Sequence, residues 1–173
     1  PVIDHAGYIQ QALDNGSNCY VSSETKEEMN LDHHRLHLYK EMEVFYVGGF
    51  KILPFNVFHD VKTHGFLLFH KDCGHTLFVT DTYYIPTTFD NLQNIIVEAN
   101  YCEKIINEKL KKDKKFLRDR VLRSHLSLDT CKKFLLANDL SKVNNIVLIH
   151  LSDSNSNAVQ FQKEIYDATL KNV

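Results

Sequence analysis

Four hydrophobic runs in this chain of 173 residues each end in an aspartate or a histidine, and this pattern constrains the fold most. The polar ends are Asp4-His5 in V-I-D-H, His59-Asp60 in P-F-N-V-F-H-D, Asp81 in L-F-V-T-D, and His150 in I-V-L-I-H. A polar residue directly after a β-like run lies where a strand meets a loop, and a rigid scaffold can hold it there within reach of substrate. Four such ends in one short chain predict a metal centre assembled from distant segments.

The bulk composition predicts one globular domain over residues 1–173. The chain is 43% hydrophobic, which suits a substantial core, and its net charge of -2 does not by itself indicate a nucleic-acid binder. It contains neither a signal segment nor an apolar run near the roughly eighteen residues of a membrane span, so no membrane partner is predicted. The four cysteines lack C-x-x-C spacing, which indicates reduced thiols in a cytoplasmic protein.

The hydrophobic periodicity predicts a β-rich first part and a later part in which helices and strands alternate. Hairpins dominate the middle of the chain, so two packed sheets flanked by helices fit better than a doubly wound parallel sheet. Residues 35–44 are predicted to be extended or irregular. The predicted strands are 19–22, 43–47, 50–58, 66–70, 76–80, 94–97 and 145–149, and the predicted helices are 6–14, 25–31, 101–115, 128–138 and 157–170.

Asp4, His5 and Asp81 are candidate metal ligands because of their residue types and positions. An adjacent Asp and His at a strand-to-helix junction offer oxygen and nitrogen ligands suited to zinc or manganese. The alternative is that Asp4 caps the helix that follows it. A carboxylate at position 81 is poorly explained by packing, because a buried charge needs a partner or a metal. Its two oxygens can also bridge two cations.

His59 and His150 are the other two candidate ligands, and each has an alternative interpretation. His59 can be a loop histidine that pairs with the charge of Asp60, and His150 can be a core imidazole hydrogen-bonded to backbone. The remaining histidines are predicted to be surface or loop residues without a ligand role: His33, His34, His37, His64, His70 and His75.

His125 lies just before a predicted helix for which Ser127 is the expected cap. Such a histidine can hold a phosphate or protonate a leaving group. Residues 111–123 form the one basic stretch of the chain, with Arg123 at its end. A stretch of this kind is usually a solvated face, but beside a phosphodiester site it would grip backbone phosphates.

The four polar ends, in this order, resemble the metallo-β-lactamase fold hydrolases. The pattern of that superfamily is His-x-His-x-Asp-His, a lone His, a bridging Asp and a final His. Residues 94–157 look like its YycJ or WalJ branch, which is described as exonuclease-like and includes many phage-encoded members. This second likeness rests on N-I-I-V-E-A-N-Y, F-L-R-D-R-V-L-R-S-H-L-S and I-H-L-S-D-S-N-S-N. The branch has a Gly-His-Leu-Ser element, which here reads Ser-His-Leu-Ser around His125.

The resemblance implies a four-layer αββα sandwich, of mixed α+β and α/β character, that binds two divalent ions, zinc or manganese. Val2 stands at the place of the motif's second histidine, and the family's first strands do not precede it. A truncated or naturally degenerate domain is therefore expected, whose open edges favour a homodimer. The implied metal ligands are Asp4, His5, His59, Asp81 and His150, the implied catalytic residues are Asp4 and His125, and the implied phosphate contacts are His125, Ser127 and Arg123.

The predicted function is that of a metal-dependent hydrolase, a phosphodiesterase or nuclease that attacks nucleic acid or nucleotides with a hydroxide activated by two metals. One alternative is a cyclic-nucleotide or small-ester hydrolase on the same fold. An alternative from another class is a metal-poor module that binds rather than catalyses.

Overall fold

The computed structural model describes residues 6–109 and 115–173, which form a mixed α/β fold around one six-stranded sheet. None of the described helices has the length and apolar character needed to cross a membrane. The strands are β1 (Cys19–Val21), β2 (Leu36–Leu38), β3 (Phe45–Val47), β4 (Phe50–Val57), β5 (Thr63–His70), β6 (Gly74–Val79), β7 (Leu92–Glu98) and β8 (Asn145–Ile149). The helices are α1 (Ile9–Asp14), α2 (Ser23–Glu28), α3 (Glu103–Lys109), α4 (Lys115–Ser124), α5 (Leu128–Ala137) and α6 (Ala158–Thr169).

The large sheet has the strand order β3-β4-β5-β6-β7-β8. Its first four strands are antiparallel neighbours, of which the hairpins β3-β4 and β5-β6 agree with the sequence prediction. Strands β6, β7 and β8 are parallel. Gly48 has a φ of 56° in the turn between β3 and β4, a left-handed conformation that glycine adopts without strain. Strands β1 and β2 form a separate parallel pair, and β2 lies in the stretch predicted to be extended or irregular.

The topology brings the carboxyl ends of four strands to one edge of the sheet. Strands β4 and β6 are each antiparallel to β5, so they run in the same direction. Strands β7 and β8 are parallel to β6 and continue that direction. Residues that directly follow or close β4, β6, β7 and β8 are therefore neighbours, although they are far apart in the sequence.

The core lies between one face of the large sheet and helices α5 and α6. Leu77, Val79 and Ile95 point to this face and are fully buried, and Phe161 and Ile165 of α6 pack against them. Burying each such side chain contributes about 1.5–3 kcal/mol. This packing fixes the sheet edge on which the polar residues lie.

The opposite face of the sheet carries the alternate residues of the same strands. Phe66 packs against Tyr39 at a ring separation of 5.6 Å, and Phe78 and Ile96 lie on the same face. Among the described residues this face borders an apolar groove of about 580 Å³. The mixed fold class and its sheets agree with the sequence prediction.

Several element bounds differ from the predictions. The helix predicted over 25–31 begins at Ser23, because the Ser22 hydroxyl accepts a hydrogen bond from the Thr25 amide at 3.2 Å and caps it. The helix predicted over 101–115 is present as Glu103–Lys109, and residues 110–114 lie outside the described part of the chain. Helix α4 lies in the stretch for which the sequence indicated only basic charge.

Candidate metal centre

Four side chains converge at the sheet edge where the parallel strands end. The ligand-type atoms of Asp81, Glu98, His125 and His150 all lie within 4.8 Å of one another. Asp81 follows β6, Glu98 closes β7, His150 follows β8, and His125 lies between α4 and α5. Polar groups from distant strand ends therefore lie together at this edge, among them the predicted ligands Asp81 and His150.

Glu98 is fully buried and links the two histidines of the cluster. Its Oε1 lies 2.7 Å from His125 Nδ1 and 3.0 Å from His150 Nδ1, and its Oε2 accepts a hydrogen bond from the Thr82 amide at 3.1 Å. Burial pushes the pKa of Glu98 upward, but the hydrogen bonds from His125 and His150 outweigh burial and hold this pKa below its usual range. An ionised Glu98 can accept the Nδ1 protons of both rings and so fix their orientation.

Asp81 and His150 both have left-handed backbone conformations, with φ values of 50° and 56°. Residues other than glycine adopt this conformation at a cost, and such strain is concentrated at functional sites. Asp81 Oδ1 lies 3.5 Å from His150 Nδ1 and 3.8 Å from His125 Nδ1. The left-handed backbone at Asp81 and at His150 therefore accompanies the close approach of their side chains.

His59 flanks the cluster after strand β4. Its Nε2 is buried, has no hydrogen-bond partner among residues 6–109 and 115–173, and lies 3.8 Å from Asp81 Oδ1. Its Nδ1 lies 2.7 Å from Asp60 Oδ1. Burial lowers the pKa of His59, and the charges of Asp60 and Asp81 oppose this effect without cancelling it. A neutral, buried imidazole nitrogen without a hydrogen bond is the form of histidine that binds a metal.

The donor set fits a divalent cation. The edge presents the Asp81 carboxylate together with imidazoles whose Nδ1 atoms lie within hydrogen-bond distance of the carboxylates of Asp60 and Glu98, as is usual for metal-binding histidines. Mixed nitrogen and oxygen donors suit zinc and manganese. Glu98 is fully buried and contacts His125, His150 and the Thr82 amide, which is the position of a group that supports the ligands.

The remaining predicted site residues have different outcomes. Asp4 and His5 lie outside the described residues, so their ligand roles stay predictions. Ser127 is buried and caps α5, as predicted, by accepting a hydrogen bond from the Thr130 amide at 3.1 Å. Arg123 is exposed in the last turn of α4, two residues before the cluster's His125. The phosphate contacts predicted for Ser127 and Arg123 stay predictions.

Glu98 is the member of the cluster to which the sequence interpretation assigned no role. The signal was present, because this acid closes the apolar run Ile95–Val97 of a buried strand just as Asp81 follows β6. Its partners, however, are 27 and 52 residues away in the sequence. Sequence spacing alone therefore does not show that the charge is paired.

The prediction that His64 is a surface or loop residue is wrong. His64 is buried within β5, its Nδ1 lies 3.3 Å from the Tyr39 hydroxyl, and its Nε2 lies 3.8 Å from Glu41 Oε2. It lines a cavity of about 250 Å³ together with His59 and Asp81. The error arose because β5 begins at Thr63, three residues earlier than predicted, which places His64 inside the strand.

Known structures share this fold. YhfI from Bacillus subtilis, a metallo-β-lactamase fold protein, matches 99% of this chain and 68% of its own length at 14% identity and a TM-score of 0.67. Igni18, a metallo hydrolase from the archaeon Ignicoccus hospitalis, matches 99% and 70% at 10% identity and a TM-score of 0.67. A diphosphatase from the PhnP family matches 88% and 57% at 14% identity and a TM-score of 0.56.

These similarities show that the chain has the metallo-β-lactamase fold, as its sequence pattern predicts. No protein-family model matches the chain, and no curated protein matches it in sequence. The finer resemblance to the YycJ or WalJ branch stays a prediction.

Proposed function

We propose that this chain is a metal-dependent phosphodiester hydrolase that acts on nucleic acid or nucleotides in the cytoplasm. The observation that carries the proposal is the convergence of Asp81, Glu98, His125 and His150 at one sheet edge, beside His59. The structural neighbours support the reaction class, because one is described as a metallo hydrolase and another as a diphosphatase. The free cysteines of the chain suit a reducing compartment.

Two divalent cations, zinc or manganese, would be held by His59, Asp81 and His150, with Asp4 and His5 completing the set. Asp81 is suited to the shared position because it lies near both His59 and His150. When bound, such a pair lowers the pKa of bound water to about 7 and neutralises the charge of the scissile phosphate.

The protein's own groups would orient and protonate the substrate. Glu98 holds the Nδ1 of His125, so the Nε2 of His125 is the atom that meets a phosphate oxygen or protonates the leaving oxygen. Ser127 caps the N-terminus of α5, two residues after His125, and would in this way help to hold His125 in position. Arg123, exposed at the end of α4, contributes a positive charge for a neighbouring phosphate.

The test is hydrolysis of phosphodiesters by the chain loaded with Mn²⁺ or Zn²⁺. Double-stranded DNA, single-stranded RNA, a cyclic nucleotide and bis(p-nitrophenyl) phosphate are compared, and each is repeated with a chelator. We expect metal-dependent cleavage that Asp81→Ala abolishes. His75→Ala is the matched control, because His75 lies near the opposite end of β6 from Asp81.

The outcomes separate this proposal from its alternatives. Cleavage of the cyclic nucleotide or the small ester alone identifies a hydrolase of small substrates. No cleavage of any substrate with either metal overturns the proposal and favours a binding module. Equal losses from Asp81→Ala and His75→Ala contradict the assignment of the centre.

A further inference from the structure

Three exposed aromatic side chains lie in the loops that carry the ligand candidates His59 and Asp81, and we call this group the aromatic rim. Phe58, Tyr83 and Tyr84 are 41%, 43% and 51% exposed. Phe58 directly precedes the ligand candidate His59, and Tyr83 lies two residues after Asp81. The ring centres of Phe58 and Tyr83 are 5.8 Å apart, and those of Phe58 and Tyr84 are 6.4 Å apart. The three rings pack against one another and still expose 41–51% of their surface, and exposed apolar patches often mark binding sites.

Backbone and side-chain hydrogen bonds hold this aromatic rim in a fixed position. The Tyr83 amide donates to the Phe58 carbonyl at 2.9 Å, and the Phe58 amide donates to Thr82 Oγ1 at 3.1 Å. Thr82 Oγ1 in turn donates to the Tyr84 carbonyl at 2.8 Å, and the Thr82 amide donates to Glu98. The rim is therefore joined through one threonine to the same carboxylate that orients the histidines of the centre.

Two basic side chains lie near the aromatic rim, and one of them is paired with an aspartate. Arg120 of α4 reaches the corner that follows Phe58, with its Nε 3.9 Å from Asp60 Oδ2. On the other side, Tyr84 borders a groove of about 250 Å³ that is also lined by Lys133 of α5. Flat apolar faces flanked by cations match a strand of stacked bases with a phosphate backbone.

We propose that Phe58, Tyr83 and Tyr84 form a stacking platform for the unpaired bases of a single-stranded nucleic acid. The platform would receive nucleotides next to the scissile phosphate, so this inference rests on the proposed function. Unpaired bases are the substrate class because their faces are free, whereas in a duplex each face is already stacked on a neighbour. Stacking requires only a flat π-face, so the platform tolerates any sequence.

The experiment measures binding of a fluorescein-labelled oligothymidylate, by fluorescence anisotropy, to the full chain in the presence of a chelator. A duplex of the same length is measured in parallel. We expect the single strand to bind more tightly, and Phe58→Ala and the double variant Tyr83→Ala/Tyr84→Ala each to weaken it roughly five- to hundredfold. Tyr83→Phe keeps a stacking face and should retain binding. Tyr46→Ala and Tyr166→Ala are the controls, because these tyrosines are 68% and 52% exposed and lie outside the rim.

The proposal is overturned if the platform variants bind the single strand as wild type does, or if the duplex binds as tightly. Failure of the proposed function gives a different result. In that case the metal-loaded wild-type chain hydrolyses no phosphodiester, while the chelated chain still binds the oligothymidylate and loses it with the platform variants.

Discussion

A fully buried charge, Glu98, and two left-handed residues, Asp81 and His150, all oppose folding at one sheet edge. Left-handed conformations of non-glycine residues cost of order 1–3 kcal/mol each, so they persist only where the surrounding packing imposes them. Asp81 and His150 were predictable because each polar residue follows an apolar run. Glu98 has the same sequence signal, but its role depends on contacts with His125 and His150 that only the fold creates.

Glu98→Gln tests whether this buried carboxylate supports the metal ligands. The amide has nearly the same size but no charge, so it no longer favours donation by both imidazoles. Because carboxylates that hold metal-binding histidines typically contribute 10–100-fold, we expect Zn²⁺ affinity to fall by about that factor in calorimetric titration. Glu103→Gln, at an exposed position in the first turn of α3, should change nothing. Equal affinities of the Glu98→Gln variant and wild type would refute the supporting role.

His64→Gln tests the pH dependence that a buried histidine gives the metal-free protein. Burial lowers the pKa of His64, so below about pH 6.5 the unfolded chain binds a proton that the folded chain does not. The contribution of His64 to the free energy of unfolding is therefore fully present above that pH. It is lost as the pH falls toward the lower pKa of His64 in the folded chain. The free energy of unfolding of wild type, measured with denaturant at several pH values, should rise with pH in this range. The contribution of His64 to this slope should approach about 1.4 kcal/mol per pH unit.

The His64→Gln variant should lose this part of the slope, whereas His34→Gln, at an exposed position, should keep it. If the slope is unchanged in His64→Gln, the ring of His64 must be protonated in the folded state as well. The charge of Glu41, 3.8 Å from His64 Nε2, would then be what stabilises the protonated ring.

At the scale of elements, the hairpins were predictable and the pairings between distant segments were not. The apolar runs of β3 and β4, and those of β5 and β6, are separated by turn residues, which indicate two hairpins directly. Strand β2 has only three residues and pairs in parallel with β1, 17 residues earlier in the chain. A strand this short has no periodicity of its own by which the sequence could predict it. Helix α4 was hidden by its basic residues, since Arg118, Arg120 and Arg123 interrupt the apolar pattern.

Thr82→Val tests how the ends of β4 and β6 are joined. The Thr82 hydroxyl accepts hydrogen bonds from the amides of Phe58 and Tyr84. Valine has a similar shape but no hydroxyl, so both amides lose this hydrogen-bond acceptor. We expect urea unfolding to show a loss of about 1–3 kcal/mol, together with weaker binding of oligothymidylate. Thr88→Val, at an exposed position of the same loop, should lose neither. Wild-type stability of Thr82→Val would mean that the joined strand ends do not depend on this hydroxyl.

At the scale of the whole molecule, the position of the centre follows from strand direction. The sequence predicts the hairpin of β5 and β6, whereas the antiparallel pairing of β4 with β5, which puts His59 and Asp81 on the same edge, is seen only in the fold. That β7 and β8 continue in parallel, and so add Glu98 and His150, depends on connections that local periodicity does not encode. The expected homodimer stays a prediction, and light scattering of the chain in solution tests it by measuring the molecular mass.

Because the ligand candidates come from strand ends spread between residues 59 and 150, unfolding separates them, and a metal that binds the centre must stabilise the entire fold. At a free concentration of Zn²⁺ or Mn²⁺ near 100 times Kd the gain is about 2.7 kcal/mol, which for a chain of this size raises Tm by roughly 5–11 °C. We expect calorimetry to show this rise in wild type and in His75→Ala, and to show none in Asp81→Ala, which removes a carboxylate that lies within 4 Å of both His59 and His150. A similar rise in Asp81→Ala would place the metal elsewhere in the molecule. An absent rise in wild type would mean that the edge, although its donors converge within 4.8 Å, does not bind these ions in the folded chain.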